Sequence, residues 1–135
     1  MPERKTIERA RRAKRAGKVP STQAGEFVHE EIEHVREGKH GARSAKQAIA
    51  IGLSKARRAG VKLKPPRKGQ ASAATRRNAR QAMRAGQRRV RHTSATRSRA
   101  TTRALKRESK QTVSRKLLSK QAQAAAARRR RRAQA

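Results

Sequence analysis

The sequence predicts an all-α protein: a small helical hairpin with a basic N-terminal arm and a long basic C-terminal tail, partly disordered or fluctuating helix. Three observations predict it. No segment alternates apolar and polar residues at the strand period, whereas two stretches repeat apolar residues at the helical period. Helix punctuation is dense, with Ser44 three residues before Gln47 and with Gly17, Gly38 and Gly60 where periodic segments stop. Finally, of 135 residues only 16 are Ile, Leu, Val or Phe, while 40 are Lys or Arg and 8 are acidic, a net charge of +32. That apolar share lies below the roughly 20% at which highly charged chains lose the capacity to fold unaided.

Residues 1–20 form the arm. Pro2 to Ala16 is Arg-rich, has helix-forming composition and is closed by Gly17 and Pro20. Ile7 is its only large apolar side chain, so a frayed basic arm is expected rather than a packed helix.

Residues 21–64 form the hairpin. Its first helix opens with Ser21 or Thr22 as N-cap and stops at Gly38. Ala24, Val28, Ile32 and Val35 share one face with Phe27 at its flank, and Glu26, Glu30, Glu33 and Glu37 recur on the opposite face. That acidic row reads either as a solvated face or as a docking surface for the protein's own basic arm or tail. The second helix starts sharply: Ser44 can accept from the Gln47 N–H while Gln47 reaches back to the Ser44 N–H. Ala45, Ile49, Gly52, Leu53 and Ala56 fall on one face, and Gly60 followed by Val61 fits a Schellman ending. The two stripes suit an antiparallel or angled pair. Nine larger apolar side chains, Phe27 to Leu63, make such a hairpin marginal alone. Ile51 lies half a turn off the stripe and asks for a partner, a homodimer or a nucleic acid.

Residues 65–69 read as a stiff linker, because Pro65 and Pro66 fix their own φ and push the preceding residue toward extended structure. The tail, 70–135, follows. Positions 67 to 132 hold 23 Lys/Arg and no aromatic. Its residues favour helix while their like charges oppose it, so it is expected to firm up on a polyanion. Leu105, Val113 and Leu117, with Leu118 beside them, suggest a thin helical stripe, and Arg128, Arg129, Arg130, Arg131 and Arg132 form a cluster.

Chemistry for catalysis is missing. There is no Cys and no Asp, no His or Ser constellation at interpretable spacing, and too little apolar volume for an enclosed active site. The expectation is no enzyme, no cofactor and no small-molecule substrate. His29-Glu30-Glu31-Ile32-Glu33-His34 departs from the zincin motif, which needs His at i and i+4. His29 with Glu33, or Glu30 with His34, would be surface pairs, so no metal site is read here. No stretch approaches 18 apolar residues and no apolar leader is present, hence no membrane partner and a cytoplasmic, nucleoid location are expected.

The charge points to nucleic acid, because a polycation gains by releasing the counterions condensed on a polyanion. Residues 1–38 carry a net +2 and residues 39–135 a net +30. Gly38-Lys39-His40-Gly41 matches the GXXG pattern with which KH domains clamp a nucleotide backbone, although the strands of that fold are absent. Lys39, His40, Arg43 and Lys46 would then surround a phosphate at a helix N-terminus, with His40 gaining charge there, unless the glycines serve only a turn. Lys55, Arg57 and Arg58, in the last turns of the same helix, extend the candidate set, as does the cluster Arg128 to Arg132.

The block Ser21 to Pro66, above all GKHGARS and KQAIAIGLS, resembles a family of short basic bacterial proteins of unknown function, some labelled plasmid-stabilisation protein. That likeness implies a bacterial cytosolic protein and no catalytic residues. The tail is similar in composition to those of bacterial linker-histone-like proteins. The favoured function is non-enzymatic duplex DNA binding, because aromatic platforms for stacking single strands are lacking. RNA or ribosome association and a protein-interaction adaptor working through the acidic helix face are the alternatives.

Overall fold

Helix boundaries in this chain are written by short local signals. The structure, a computed structural model describing residues 2–88 and 94–134, is helical throughout, with no strand among the described residues. The elements are α1 (Arg4–Arg15), α2 (Pro20–Arg36), α3 (Ala45–Arg58), α4 (Ala73–Gln87), α5 (Ala95–Lys106) and α6 (Arg115–Gln134). The all-α expectation is borne out. Arg89 and Arg91, two of the tail's cations, lie outside the described residues.

The first three helices end alike. At α3, Gly60 has φ +100°, its N–H donates to Arg57 O at 3.1 Å, and the Val61 N–H reaches Ala56 O at 3.0 Å. This is the Schellman pattern, with Val61 buried beside Ala56 as its apolar contact. Gly17 and Gly38 close α1 and α2 with the same pair of bonds. The start of α2 differs from expectation: Pro20 opens the helix at its first position and Val19 is the N-cap. Proline suits that position because its φ is preset and its missing N–H would have had no helical partner. At α3 Ser44 accepts from the Gln47 N–H at 3.1 Å as expected, but the Gln47 side chain accepts from the Arg43 N–H rather than from Ser44.

α2 and α3 pack as the expected hairpin. Their backbones meet at Gly52, where a Cβ would lie 2.6 Å from Val28 Cα. Gly52→Ala is therefore expected to destabilise by about 1–3 kcal/mol through overpacking, despite the higher helix propensity of alanine. Urea denaturation followed by circular dichroism measures it, and an unchanged midpoint would place the two helices further apart.

The arm is not frayed. α1 packs on α2 with Thr6 and Ala10 buried, because Glu30 of α2 reaches across to its N-terminus. Glu30 Oε1 accepts from the Glu3 N–H at 2.6 Å and from Thr6 Oγ1 at 3.0 Å. A carboxylate from another helix thus supplies the anion that an N-terminus favours.

The chain beyond the prolines also folds back. α4 lies against α3 with Ala79 and Ala82 buried, and at Gly86 a Cβ would overlap the Arg57 carbonyl. The supposed stripe Leu105–Val113–Leu117 is broken, since the helix stops after Lys106 and restarts at Arg115. Val113 is buried in the connection, Leu118 packs beside it, and Leu117 is 40% exposed. Ser114 makes the restart possible, its hydroxyl accepting from the Leu117 N–H at 3.3 Å.

The core is two small clusters. One gathers Ala10, Ala24, Phe27, Ala56 and Val61, and the other Val35, Ala42, Ala48 and Val113. The buried row of α2 is Ala24, Phe27, Glu31 and Val35, with Val28 and Ile32 half-buried at its edge. A carboxylate therefore separates two apolar patches on one helix face. Ile51, expected to need a partner or stay exposed, is half-buried, and the exposed large apolar side chains among the described residues are Val19 and Leu117.

Candidate nucleic-acid interface

The glycine loop comes first, because its backbone donors were the expected phosphate clamp. They are occupied by the chain itself. The Gly41 N–H donates to Leu105 O and the Ala42 N–H to Ser109 O, each at 2.8 Å, while Thr112 Oγ1 donates to Ala42 O at 2.9 Å. A Cβ at Gly41 would overlap the Glu108 carbonyl, so this glycine allows one backbone to lie on another. The loop is where the α5–α6 connection docks.

The candidate cations divide accordingly. Arg43, Lys46 and Arg58 are exposed and none forms an ion pair among the described residues. Lys39 is exposed but bridges Glu37 at 3.3 Å and Glu3 at 3.5 Å, and the Glu37 contact foremost raises its pKa. His40 turns inward: one ring nitrogen lies 2.9 Å from Gly41 O and the other 3.3 Å from Glu31 Oε2. Lys55 is half-buried and paired with Glu31. Arg57 is buried, donating to Leu63 O and Lys64 O at 3.1 Å each, and burial pushes its pKa down. It holds the turn after α3 instead of facing a ligand. Arg128, Arg129, Arg130, Arg131 and Arg132 are exposed near the end of α6, with Arg132 also donating to Gly69 O at 3.1 Å.

Two shallow clefts flank the first turns of α6. Arg43, Lys46 and Lys120 line one, beside Ser44 at the start of α3. Arg36, Lys110, Lys116 and Lys120 line the other. Both contain Leu117 and Lys120, so the clefts join into one basic surface around an exposed leucine. Arg36, Lys110, Lys116 and Lys120 are additions to the sequence-predicted set: Arg36 ends α2, and the three lysines lie 74 or more positions further on in an undifferentiated basic tail. The signal that was available is Ser114, a helix cap placed just after the buried Val113.

The acidic side of α2 is not simply solvated: at Glu30 it is the expected docking surface for the protein's own N-terminal arm. Glu30 is consumed by α1, and Glu31, outside the expected row, is only 1% exposed. Lys55 takes Glu31 Oε1 and His40 faces its Oε2. His34 stands between Glu31 and Glu3, 3.8 Å and 3.1 Å away. The His34 hydrogen bond foremost, then that from Lys5, holds the Glu3 carboxyl at about 2. His29 and Glu33 pair on the surface at 3.0 Å, as the spacing predicted.

An all-helical, strongly basic chain whose acidic helix buries one glutamate against a lysine is the class these features define. Residues 3–68 match the model of a family of unknown function (DUF6496). That match takes in α1 as well as the hairpin, beginning earlier than the block Ser21 to Pro66 that carried the resemblance. Neither a curated protein nor a solved structure matches the chain. No helix among the described residues is long and apolar enough to cross a membrane.

Proposed function

We propose that this chain is a non-enzymatic protein that binds duplex DNA through phosphate contacts, with little sequence preference, in the manner of a nucleoid-associated protein. The observation that carries the reading is the joined basic surface at the start of α6. Its cations Arg36, Arg43, Lys46, Lys110, Lys116 and Lys120 form no ion pair among the described residues, whereas Lys39 and Lys55 are matched by glutamates. Unmatched cations at a helix N-terminus supply what a phosphate backbone requires. Arg128 to Arg132, further along the same helix, add a second run of charge.

Binding to a short duplex should weaken steeply with salt, with a log–log slope of about −6 to −10 if roughly 7 to 11 phosphates are engaged. In the full chain, replacing Arg43, Lys46 and Lys120 together with Gln should flatten that slope by about 2 to 3. Fluorescence anisotropy across a salt series measures both. A parent slope shallower than about −3 removes the phosphate mechanism, and preferential binding to ribosomal RNA in competition would redirect it to RNA.

A further inference from the structure

A polar centre lies between the two apolar clusters, and the DNA-binding surface makes no use of it. Its geometry is set by where the ring protons must sit. His34 Nε2 lies 3.1 Å from Glu3 Oε1. A carboxylate only accepts, so Nε2 carries the hydrogen and, in the neutral ring, Nδ1 presents a lone pair, 3.8 Å from Glu31 Oε1. His40 Nδ1 lies 2.9 Å from the Gly41 carbonyl, which also only accepts. In the neutral ring its Nε2 presents a lone pair toward Glu31 Oε2 at 3.3 Å. Glu31 is 1% exposed and its Oε2 has no hydrogen-bond donor. Two imidazole nitrogens thus converge on a buried carboxylate whose Oε2 has no donor, Lys55 being engaged at Oε1.

We propose that Glu31, His34 and His40 form a metal site for a divalent first-row transition ion, Zn²⁺ foremost. The donor set of two imidazoles and one carboxylate is one that Zn²⁺ accepts, with a fourth position for solvent. Zinc bonds of about 2.0–2.2 Å place neighbouring ligand atoms of a tetrahedron about 3.3–3.6 Å apart. The ligand atoms here lie within 4.8 Å of one another, and the His40–Glu31 edge is already 3.3 Å. Both rings also make the outer contact that ligating histidines commonly make, His34 to a carboxylate and His40 to a backbone carbonyl. Three carboxylates, Glu3, Glu30 and Glu31, lie around the rings, with Lys55 on Glu31 and Lys5 and Lys39 on Glu3. The bound ion would pin the loop after α2 to that helix and, through Glu3, steady the start of α1.

The test is isothermal titration of the full-length, chelator-treated protein with ZnCl₂ at near-neutral pH. One ion per chain is expected, with a higher melting temperature. His40→Gln should abolish that stoichiometric binding, and His29→Gln, altering an exposed histidine outside the centre, should leave it intact. Glu3→Ala, which removes the acceptor behind His34 along with the surface pairs to Lys5 and Lys39 but no proposed ligand, should weaken it about 10–100-fold. Should His40→Gln fail to fold by circular dichroism, Glu3→Ala decides. No one-to-one binding of Zn²⁺, binding equal in His40→Gln and parent, or an affinity untouched by Glu3→Ala would each overturn the site, leaving a proton on His40 as the bridge to Glu31.

Discussion

Phe27→Ala is expected to lower the free energy of unfolding by about 3–5 kcal/mol, the range for truncating a buried aromatic. Phe27 is the protein's one aromatic and is 1% exposed. It joins Ala10 and Ile7 of α1 to Ala56 and Leu53 of α3 and to Val61 and Leu63 beyond it. Three of its seven partners, Ala10, Ala24 and Ala56, have no side-chain freedom with which to fill the space left, so a cavity term should add to the transfer loss. The chain also carries the self-repulsion of +32 charges, which screening by salt relieves. The variant should therefore lose most of its far-ultraviolet helical signal at low ionic strength and regain part of it when salt is added. Val28→Ala, at the half-buried edge of the same helix, should cost clearly less. A loss below about 1 kcal/mol for Phe27→Ala would mean that the first cluster is not what joins α1 to the hairpin.

What could be read from the sequence was what neighbouring residues decide. The Ser44 cap and the Gly17, Gly38 and Gly60 endings depend on bonds spanning three to five positions, and they form where the residue types placed them. The burial of α2 was misread by part of a turn. Periodicity treats Glu as outward-facing, so it centred the apolar stripe on Val28 and Ile32, whereas the true row runs through Phe27, Glu31 and Val35. A buried glutamate is acceptable only because Lys55 neutralises it, and that partner lies 24 positions away. The phosphate-clamp reading of the loop failed for the same kind of reason. Gly41 looked like a residue that frees a backbone N–H for a ligand, and the chain supplies that acceptor itself from Leu105. Arg43 and Lys46 survive as candidates because nothing else in the described chain claims them.

Gly41→Val should release the docked connection between α5 and α6. A Cβ at position 41 would overlap the Glu108 carbonyl, and the obstruction is backbone that cannot swing aside as a side-chain tip would. Separating the two segments breaks the bonds from Gly41 to Leu105, from Ala42 to Ser109 and from Thr112 to Ala42. It also exposes Val113, now 1% accessible against Val35, Ala42 and Ala48. Exposing a buried valine costs about 1.5–3 kcal/mol and each of the three lost hydrogen bonds about 1 after solvent recaptures the freed groups, so a loss of about 4–6 kcal/mol is expected. The damage should be local. Hydrogen exchange should rise at Gly41, Ala42 and Val113, and trypsin should cut sooner after Arg107 and Lys110, while the amides around Phe27 and Ala56 in the other cluster keep their protection. The basic surface would come apart as well, because Lys110, Lys116 and Lys120 meet Arg36, Arg43 and Lys46 only while the connection is docked. A duplex should then see the same net charge in a looser arrangement, binding more weakly at moderate salt with a salt slope close to the parent's. Unchanged exchange at Ala42 and Val113 would show that the loop and the connection are not held together in solution.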